Sequence, residues 1–319
     1  MKLGDIYNII TDIGMEKDPR GKAVVKKDLL MAKKKYDEMP QKDKELYDID
    51  RLEHPYTDTR IIFGEKTLEV KTMLVGIDME VSEVLLADRL RDKGQKVDLI
   101  VSHHPEGKAL AAFYDVMHMQ ADILNMVGVP ISIAESLLSD RIKEVERKVM
   151  PANHMRAVDA ARLLDIAFLT AHTPADNCVA TYLQNLFDKK KPETLGDILD
   201  ILLDLPEYRE SARNNCPPKI IRGNSSNKAG KIFVDMTGGT EGSKNIFGRL
   251  SQAGVSTIVC MHLGEEHFKK AQEEQINVVI AGHIASDTLG LNLLLDELEK
   301  KERFKILTCS GFRRFSRRK

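Results

Sequence analysis

From Val70 onward, short apolar runs alternate with stretches in which apolar residues recur every three or four positions. An apolar run of about five residues predicts a buried strand, and the 3.6-residue period predicts a helix. Their alternation is the signature of a mainly parallel sheet covered by helices. Met73-Leu74-Val75-Gly76-Ile77 is such a strand, ending on Asp78. A helix is expected over Glu83 to Lys93, stopped by Gly94, and a second strand over Val97 to Val101. Phe113 to Gly128 predicts a helix, Val129 to Ala134 a strand, Asp140 to Leu164 a mostly helical stretch broken at Pro151, and Ile166 to Ala171 a strand.

The pattern lapses in two places. After a first helix over Leu3 to Ile13, the charge-dense run from Lys22 to Asp48 predicts two exposed helices separated by Pro40, a solvated face without chemistry. Between Asp188 and Gly230 the chain turns polar around a short amphipathic helix, Leu195 to Leu205, followed by Pro217-Pro218 and Gly223-Asn224-Ser225-Ser226-Asn227, which is connector chemistry. Strands then resume at Lys231 to Asp235, Val255 to Cys260, Ile276 to Ala281 and Phe304 to Thr308, with helices over Ser243 to Ala253, Glu265 to Gln275 and Thr288 to Lys301. The expected organisation is a helical segment 1–68, a first α/β half 69–188, a connector 189–229 and a second α/β half 230–319. No short period marks a solenoid.

Composition narrows the class. The chain has 319 residues, 42% hydrophobic and 30% charged, enough to bury a large core. With 48 basic and 49 acidic residues, the molecule as a whole has no electrostatic reason to seek nucleic acid or anionic membrane, and any affinity for anions must be local. Charged residues interrupt the N-terminus where a secretion signal would be apolar, and no uncharged stretch approaches the ~20 residues of a membrane span. Cys178, Cys216, Cys260 and Cys309 lie far apart and form no C-x-x-C pair, so free thiols in a reducing cytoplasm are expected.

Three strands run directly into histidine: Leu99-Ile100-Val101-Ser102 into His103-His104, Phe168-Leu169-Thr170-Ala171 into His172, and Val278-Val279-Ile280-Ala281-Gly282 into His283. In open α/β sheets, residues just past the strand carboxyl ends converge although they are distant in sequence. Asp176 follows His172, and Asp287 follows His283, by four residues, a spacing that puts acid and imidazole on one helix face. Imidazole with carboxylate suits Zn²⁺, Mn²⁺, Fe²⁺ or Ni²⁺ better than Mg²⁺. If neutral His103, His104 and His283 join Asp176 and Asp287, the ligands carry two negative charges against the four positive charges of two divalent ions. The excess calls for a bound hydroxide and an anionic substrate oxygen, the arrangement of two-metal hydrolases. Asp78 is a candidate to fix an imidazole from behind.

The run Gly76-Ile77-Asp78, Asp98 to Pro105, Ala171-His172-Thr173 with Asp176, Gly238-Gly239, and Gly282-His283 with Asp287 resembles the NIF-three-like (NGG-interacting factor three) dinuclear-metal proteins, some of which carry the name GTP cyclohydrolase 1 type 2. The resemblance spans about residue 60 to residue 300 in order. It implies two packed α/β halves, a dinuclear site between them whose ligands match His103, His104, Asp176, His283 and Asp287, and a toroidal homohexamer. Asp287 stands where the family usually has glutamate, His-Thr-Pro-Ala-Asp replaces His-Thr-Asn-Leu-Asp, and the spacing from His104 to Asp176 is long, consistent with a helical insertion at Asp140 to Leu164.

Other signals are weaker. Met236 to Ser243 is a glycine-rich strand-to-helix turn matching neither nucleotide fingerprint. His262 and His267 are second-tier candidates for the same cleft, while His54, His118 and His154 are expected to be structural. The tail Phe312 to Lys319 is basic, with interleaved aromatics, and is expected to be a frayed terminus. The resulting expectation is a metal-dependent hydrolase with a metal-bound hydroxide as nucleophile. It would act on a small anionic, nucleotide- or pterin-like substrate, with His172 as acid/base group or further ligand. The alternative is a metal-binding ring that serves as a regulatory or adaptor protein without turnover.

Overall fold

The structure, a computed structural model, describes residues 1–318; Lys319 of the basic tail lies outside them. Among the described residues nine strands form two sheets. The first contains β1 (Arg60–Phe63), β2 (Thr72–Gly76), β3 (Leu99–Ser102), β4 (Ala167–Thr170) and β9 (Lys305–Thr308), in the order β1-β4-β3-β2-β9. The second contains β5 (Lys219–Arg222), β6 (Lys231–Asp235), β7 (Val255–Cys260) and β8 (Asn277–Ile280), in the order β5-β8-β7-β6. In each sheet one edge strand, β1 or β5, runs antiparallel to its neighbour and the other strands are parallel. The expected α/β class of mixed, mainly parallel sheets covered by helices is therefore the observed one.

Strand alternation builds the layers. Val75, Val101 and Leu169 point to one face of the first sheet, and Leu74, Ile100 and Phe168 to the other. Val234, Val259 and Val279 point inward from the second sheet, and Phe233, Ile258 and Val278 outward. The inner faces of both sheets close on two helices, Thr173–Lys190 and His283–Leu298. Because these helices meet a sheet on either side, their leading turns are buried all round, Thr173 to Ala180 in the first and Ala285 to Asn292 in the second. Both begin where a parallel strand ends, so the architecture brings β3, β4 and β8 together at their carboxyl ends.

The two sheets also share an opening device. Leu3-Gly4-Asp5-Ile6 and Leu195-Gly196-Asp197-Ile198 each start a helix. Leu3 and Gly4 donate to the carbonyls of Leu68 and Lys66, and Leu195 and Gly196 to those of Asn227 and Ser225. A Cβ on Gly4 would lie 3.1 Å from the Lys66 carbonyl oxygen, and one on Gly196 3.2 Å from that of Ser225, so the same close approach calls for glycine in both. Matching strand order and matching helix starts make the halves structural repeats of one another.

Two local expectations are corrected. Val129 to Ala134 forms no strand: Pro130 has no N–H for a ladder, and its φ of −55° caps the helix Ile131–Val149. Ala134, Leu138, Ile142 and Val145 then form a stripe that packs on the outer face of the second sheet, although these residues lie between β3 and β4 of the first. The tail is docked rather than frayed. Arg317 makes a two-pronged ion pair with buried Glu207 at 2.8 and 2.7 Å, and Arg314 pairs with Asp296 at 2.5 Å and Glu299 at 2.8 Å. Among the described residues no helix is long and apolar enough to cross a membrane.

Candidate metal centre

Backbone pairing continues past the strand ends and fixes the histidines. The His103 and His104 N–H groups donate to the Gly76 and Ile77 carbonyls at 3.0 and 2.9 Å, so the pair is laced to the end of β2. Ser102 Oγ donates to the carbonyl of His104 at 2.6 Å. His172 stands at the N-cap of the helix Thr173–Lys190, placing Asp176 on the first turn. Gly282 caps the second central helix, and His283 and Asp287 lie one turn apart on it.

These elements bring the predicted residues together. His103 Nε2 lies 3.4 Å from Asp176 Oδ1 and 3.4 Å from Asp287 Oδ1. Asp287 Oδ2 faces the other way, 3.5 Å from His104 Nε2 and 3.5 Å from His283 Nε2. Three sets of side chains, His103-His104-His172, His104-His283-Asp287 and His103-Asp176-Asp287, each present ligand atoms within 4.8 Å of one another. Asp287 belongs to two of them, through different oxygens.

The buried hydrogen-bond inventory tests whether the site suits a cation. Both nitrogens of His103, Asp176 Oδ1 and both oxygens of Asp287 are buried without a hydrogen-bond partner. Buried carboxylates and imidazoles left bare in this way cost several kcal/mol, on the order of 2 to 7 kcal/mol for each polar group. Burial disfavours a charged His103, yet the Asp287 and Asp176 carboxylates outweigh it and raise its pKa to about 10. Burial likewise opposes ionisation of Asp287, but His103 and His104 hold its carboxyl far below the usual range. The cluster thus demands positive charge between its two acids, and the donors present are those that divalent cations accept. These buried His and Asp groups could hold metal ions.

Behind the cluster, Asp78 Oδ1 is 2.6 Å from His104 Nδ1, the partnership expected of it. Asp58 is the residue that sequence reasoning missed. It is fully buried, 2.9 Å from His172 Nδ1, and accepts from Thr173 Oγ1 at 2.6 Å. Burial would raise its pKa, but the bond to His172 prevails and lowers it, so the carboxylate is ionised. Thr57-Asp58-Thr59 carries no pattern that distinguishes it from a turn, and only the antiparallel pairing of β1 with β4 brings it beside His172.

The remaining histidines sort by partner. His262 packs at a tilt against His283, with ring centres 4.8 Å apart, and lies 3.2 Å from Glu241, while His267 is 3.6 Å from that same carboxylate. Neither belongs to the three ligand sets. His54 is wholly buried rather than superficial, 2.6 Å from the Tyr7 hydroxyl, and burial lowers its pKa to about 3, so it stays neutral. His118 is exposed, and His154 bonds the Val149 carbonyl. A cavity of about 420 Å³ opens beside the cluster, reaching from His172, Asp176, His283 and Asp287 toward Phe233 and Leu138.

Fold and site together define a class: a duplicated α/β protein with a buried His/Asp cluster where its two central helices begin. The chain is similar to a NIF3 superfamily protein from Sphaerobacter thermophilus, at 26% identity over 84% of this chain and 98% of that one, with a TM-score of 0.69. HcgD from Methanocaldococcus jannaschii shares the fold, at 16% identity over 83% and 96% of the two chains and a TM-score of 0.51. Comparison with family models gave no match, and neither did comparison with curated protein sequences. The likeness supports a NIF3-like family assignment for the chain.

Proposed function

We propose that this protein is a metal-dependent hydrolase with two divalent ions, zinc, manganese, iron or nickel, held by His103, His104, Asp176, His283 and Asp287. The observation that carries the reading is the set of five buried, partnerless ligand atoms on His103, Asp176 and Asp287. Asp287 would be the ligand common to both, since one of its oxygens lies toward His103 and the other toward His104 and His283. Ions held there would supply Lewis acidity toward water and toward an anionic substrate oxygen such as that of a nucleotide or pterin-like phosphate.

The protein's own contribution is to orient and to move protons. Asp58 accepts from His172 Nδ1, which leaves Nε2 as the free nitrogen. In that tautomer Nε2 takes a proton from the attacking water and returns it to the leaving group. Asp78 fixes the ring of His104 through Nδ1 in the same way. Phe113 packs edge-on against His172 at 5.5 Å, giving the base an apolar wall.

Elemental analysis of the purified chain beside a His103→Ala/His104→Ala variant tests the centre. About two ions per native chain, lost in the variant, is the expected result; trace metal in both sinks the reading. Hydrolysis of nucleotides and phosphoesters with Mn²⁺ or Zn²⁺ restored then separates an enzyme from a metal-binding adaptor. A His172→Gln variant should keep its metal and lose turnover. If it loses metal instead, His172 is a ligand. We further propose a homohexameric ring in a reducing cytoplasm. Exposed Leu30, Met31 and Leu46 offer apolar surface for assembly, and the four cysteines are unbridged. A monomeric mass in solution would exclude the ring.

A further inference from the structure

The two repeats can be compared strand by strand. β1, β4, β3 and β2 of the first sheet correspond to β5, β8, β7 and β6 of the second, down to the register shift that follows Ile61 in β1 and Ile220 in β5. Aligning Gly76, Ser102 and Thr170 with Asp235, Cys260 and Ile280 puts Val75 on Val234 and Ile77 on Met236. The correspondence ends at the outer edge of β2. There β9 pairs parallel, with the Cys309 N–H donating to the Val75 carbonyl at 3.0 Å and the Ile77 N–H to the Ser310 carbonyl at 3.1 Å. Among the described residues no strand of this chain pairs with the matching edge of β6.

That edge of β6 is answered only in part. The Val234 N–H donates to Gln184 Oε1 at 3.0 Å, and Gln184 Nε2 donates to the Ile232 carbonyl at 3.3 Å. The side-chain amide thus meets alternate residues of β6 with a planar C=O and N–H, as one peptide group of a neighbouring strand would. Among the described residues the Met236 N–H, counterpart of the bonded Ile77, has no backbone partner. Such an edge is a template for another chain, provided there is room. Room is present, because the cavity of about 420 Å³ is lined by every residue from Lys231 to Thr237. Ala180 and Thr181 of one central helix wall it on the inner face of the sheet, and Ile123 and Leu124 of the helix Met119–Val127 on the outer. β6 has 5 residues, about 17 Å of extended chain, so the groove is strand-shaped and ends at the metal cluster. Asp235 and Glu241 on the same wall make it a poor seat for a polyanion.

We propose that this groove binds a segment of polypeptide in extended conformation, which adds to β6 as β9 adds to β2. Its backbone takes the place of the Gln184 amide and pairs with Ile232, Val234 and Met236, which supplies affinity without regard to sequence. Its side chains alternate between the wall of Ile123 and Leu124 and the wall of Ala180 and Thr181. Parallel pairing, as in the first sheet, points the C-terminal end of the peptide toward His172 and Asp287. The groove stands independently of the metal-centre reading. Only the placing of the peptide's carboxylate at the ions rests on it.

Fluorescence-anisotropy titration of the full chain tests the groove, with a labelled peptide that copies Arg303–Thr308, the segment containing β9. Two further forms of the peptide carry N-methyl groups, one on each alternate set of backbone nitrogens. A strand turns only every second N–H toward a given neighbour. One methylated form should therefore bind at least about tenfold more weakly than the parent, and the other within about twofold. Gln184→Ala, which removes the competing amide, should bind the parent about two- to tenfold tighter. Hydrogen exchange should slow at Val234 and Met236 when the parent peptide is bound. Chelation of metal should leave the discrimination between the methylated forms intact, so a failed metal centre and a failed groove give different results. Equal loss from both forms, no binding at millimolar concentration, weaker binding by Gln184→Ala, or slowed exchange confined to β2 would each overturn the proposal.

Discussion

Asp58 is a wholly buried carboxylate behind the cluster, and its partners decide its charge. Asp58 has two donors, His172 and Thr173, and its pKa falls. Replacing it with Asn removes the negative charge that holds the His172 Nδ1–H and leaves the fold's layers untouched. Asp58→Asn is expected to keep its metal content and lose about 10- to 100-fold in turnover, the usual effect of removing a ligand's backing group. Unchanged turnover would mean that Asp58 only packs. That role could not be read from the sequence, because Asp58 sits in an ordinary polar turn.

At the scale of elements, the site depends on how closely the two central helices cross. Gly290 on the second lies against Ala175 on the first, and a Cβ at Gly290 would fall 2.5 Å from the Ala175 carbonyl oxygen. Backbone cannot yield there as a flexible side chain can, so the helices must part. Asp176 is the residue after Ala175, and Asp287 is less than one turn before Gly290. Gly290→Ala should cost about 1 to 3 kcal/mol, as overpacking does, and weaken metal binding although no ligand is altered. Thermal unfolding and metal titration measure the two effects. A stability loss with unchanged metal affinity would show that the cluster tolerates a shift of its helices. The strand-into-histidine pattern made the ends of β3, β4 and β8 visible in advance, because local apolar runs define strands. The strand expected at Val129 to Ala134 failed because a short apolar run also suits a helix, and Pro130 decided the matter. The docked tail was hidden too. A run of arginines has no visible partner until Glu207, Asp296 and Glu299 are brought against it.

For the whole molecule, the cluster lies between the two repeats, with His103, His104 and Asp176 supplied by the first and His283 and Asp287 by the second. A cation there ties the halves together and favours the folded chain by mass action. Chelated protein should melt lower, and Zn²⁺ or Mn²⁺ at about a thousandfold over its dissociation constant should restore about 4 kcal/mol, or roughly 5 to 10 °C. A melting temperature indifferent to both ions and chelator would remove the metal centre from this account.

Chain-local features were settled by sequence alone: the α/β class, the histidines at strand ends, and the four-residue spacing of His172 with Asp176 and of His283 with Asp287. These follow from periodicities of two and 3.6 residues, which act between near neighbours. The repeat of Leu-Gly-Asp-Ile was also there to be read, although its meaning appears only when both copies make the same close approach. Tertiary structure alone decided that Asp287 presents one oxygen to His103 and the other to His104 and His283, that Asp58 stands behind His172, and that helices drawn from between β3 and β4 cover the second sheet. Each of these depends on chain segments distant in sequence meeting at a particular distance and angle, and the local pattern of apolar and polar residues carries no record of either.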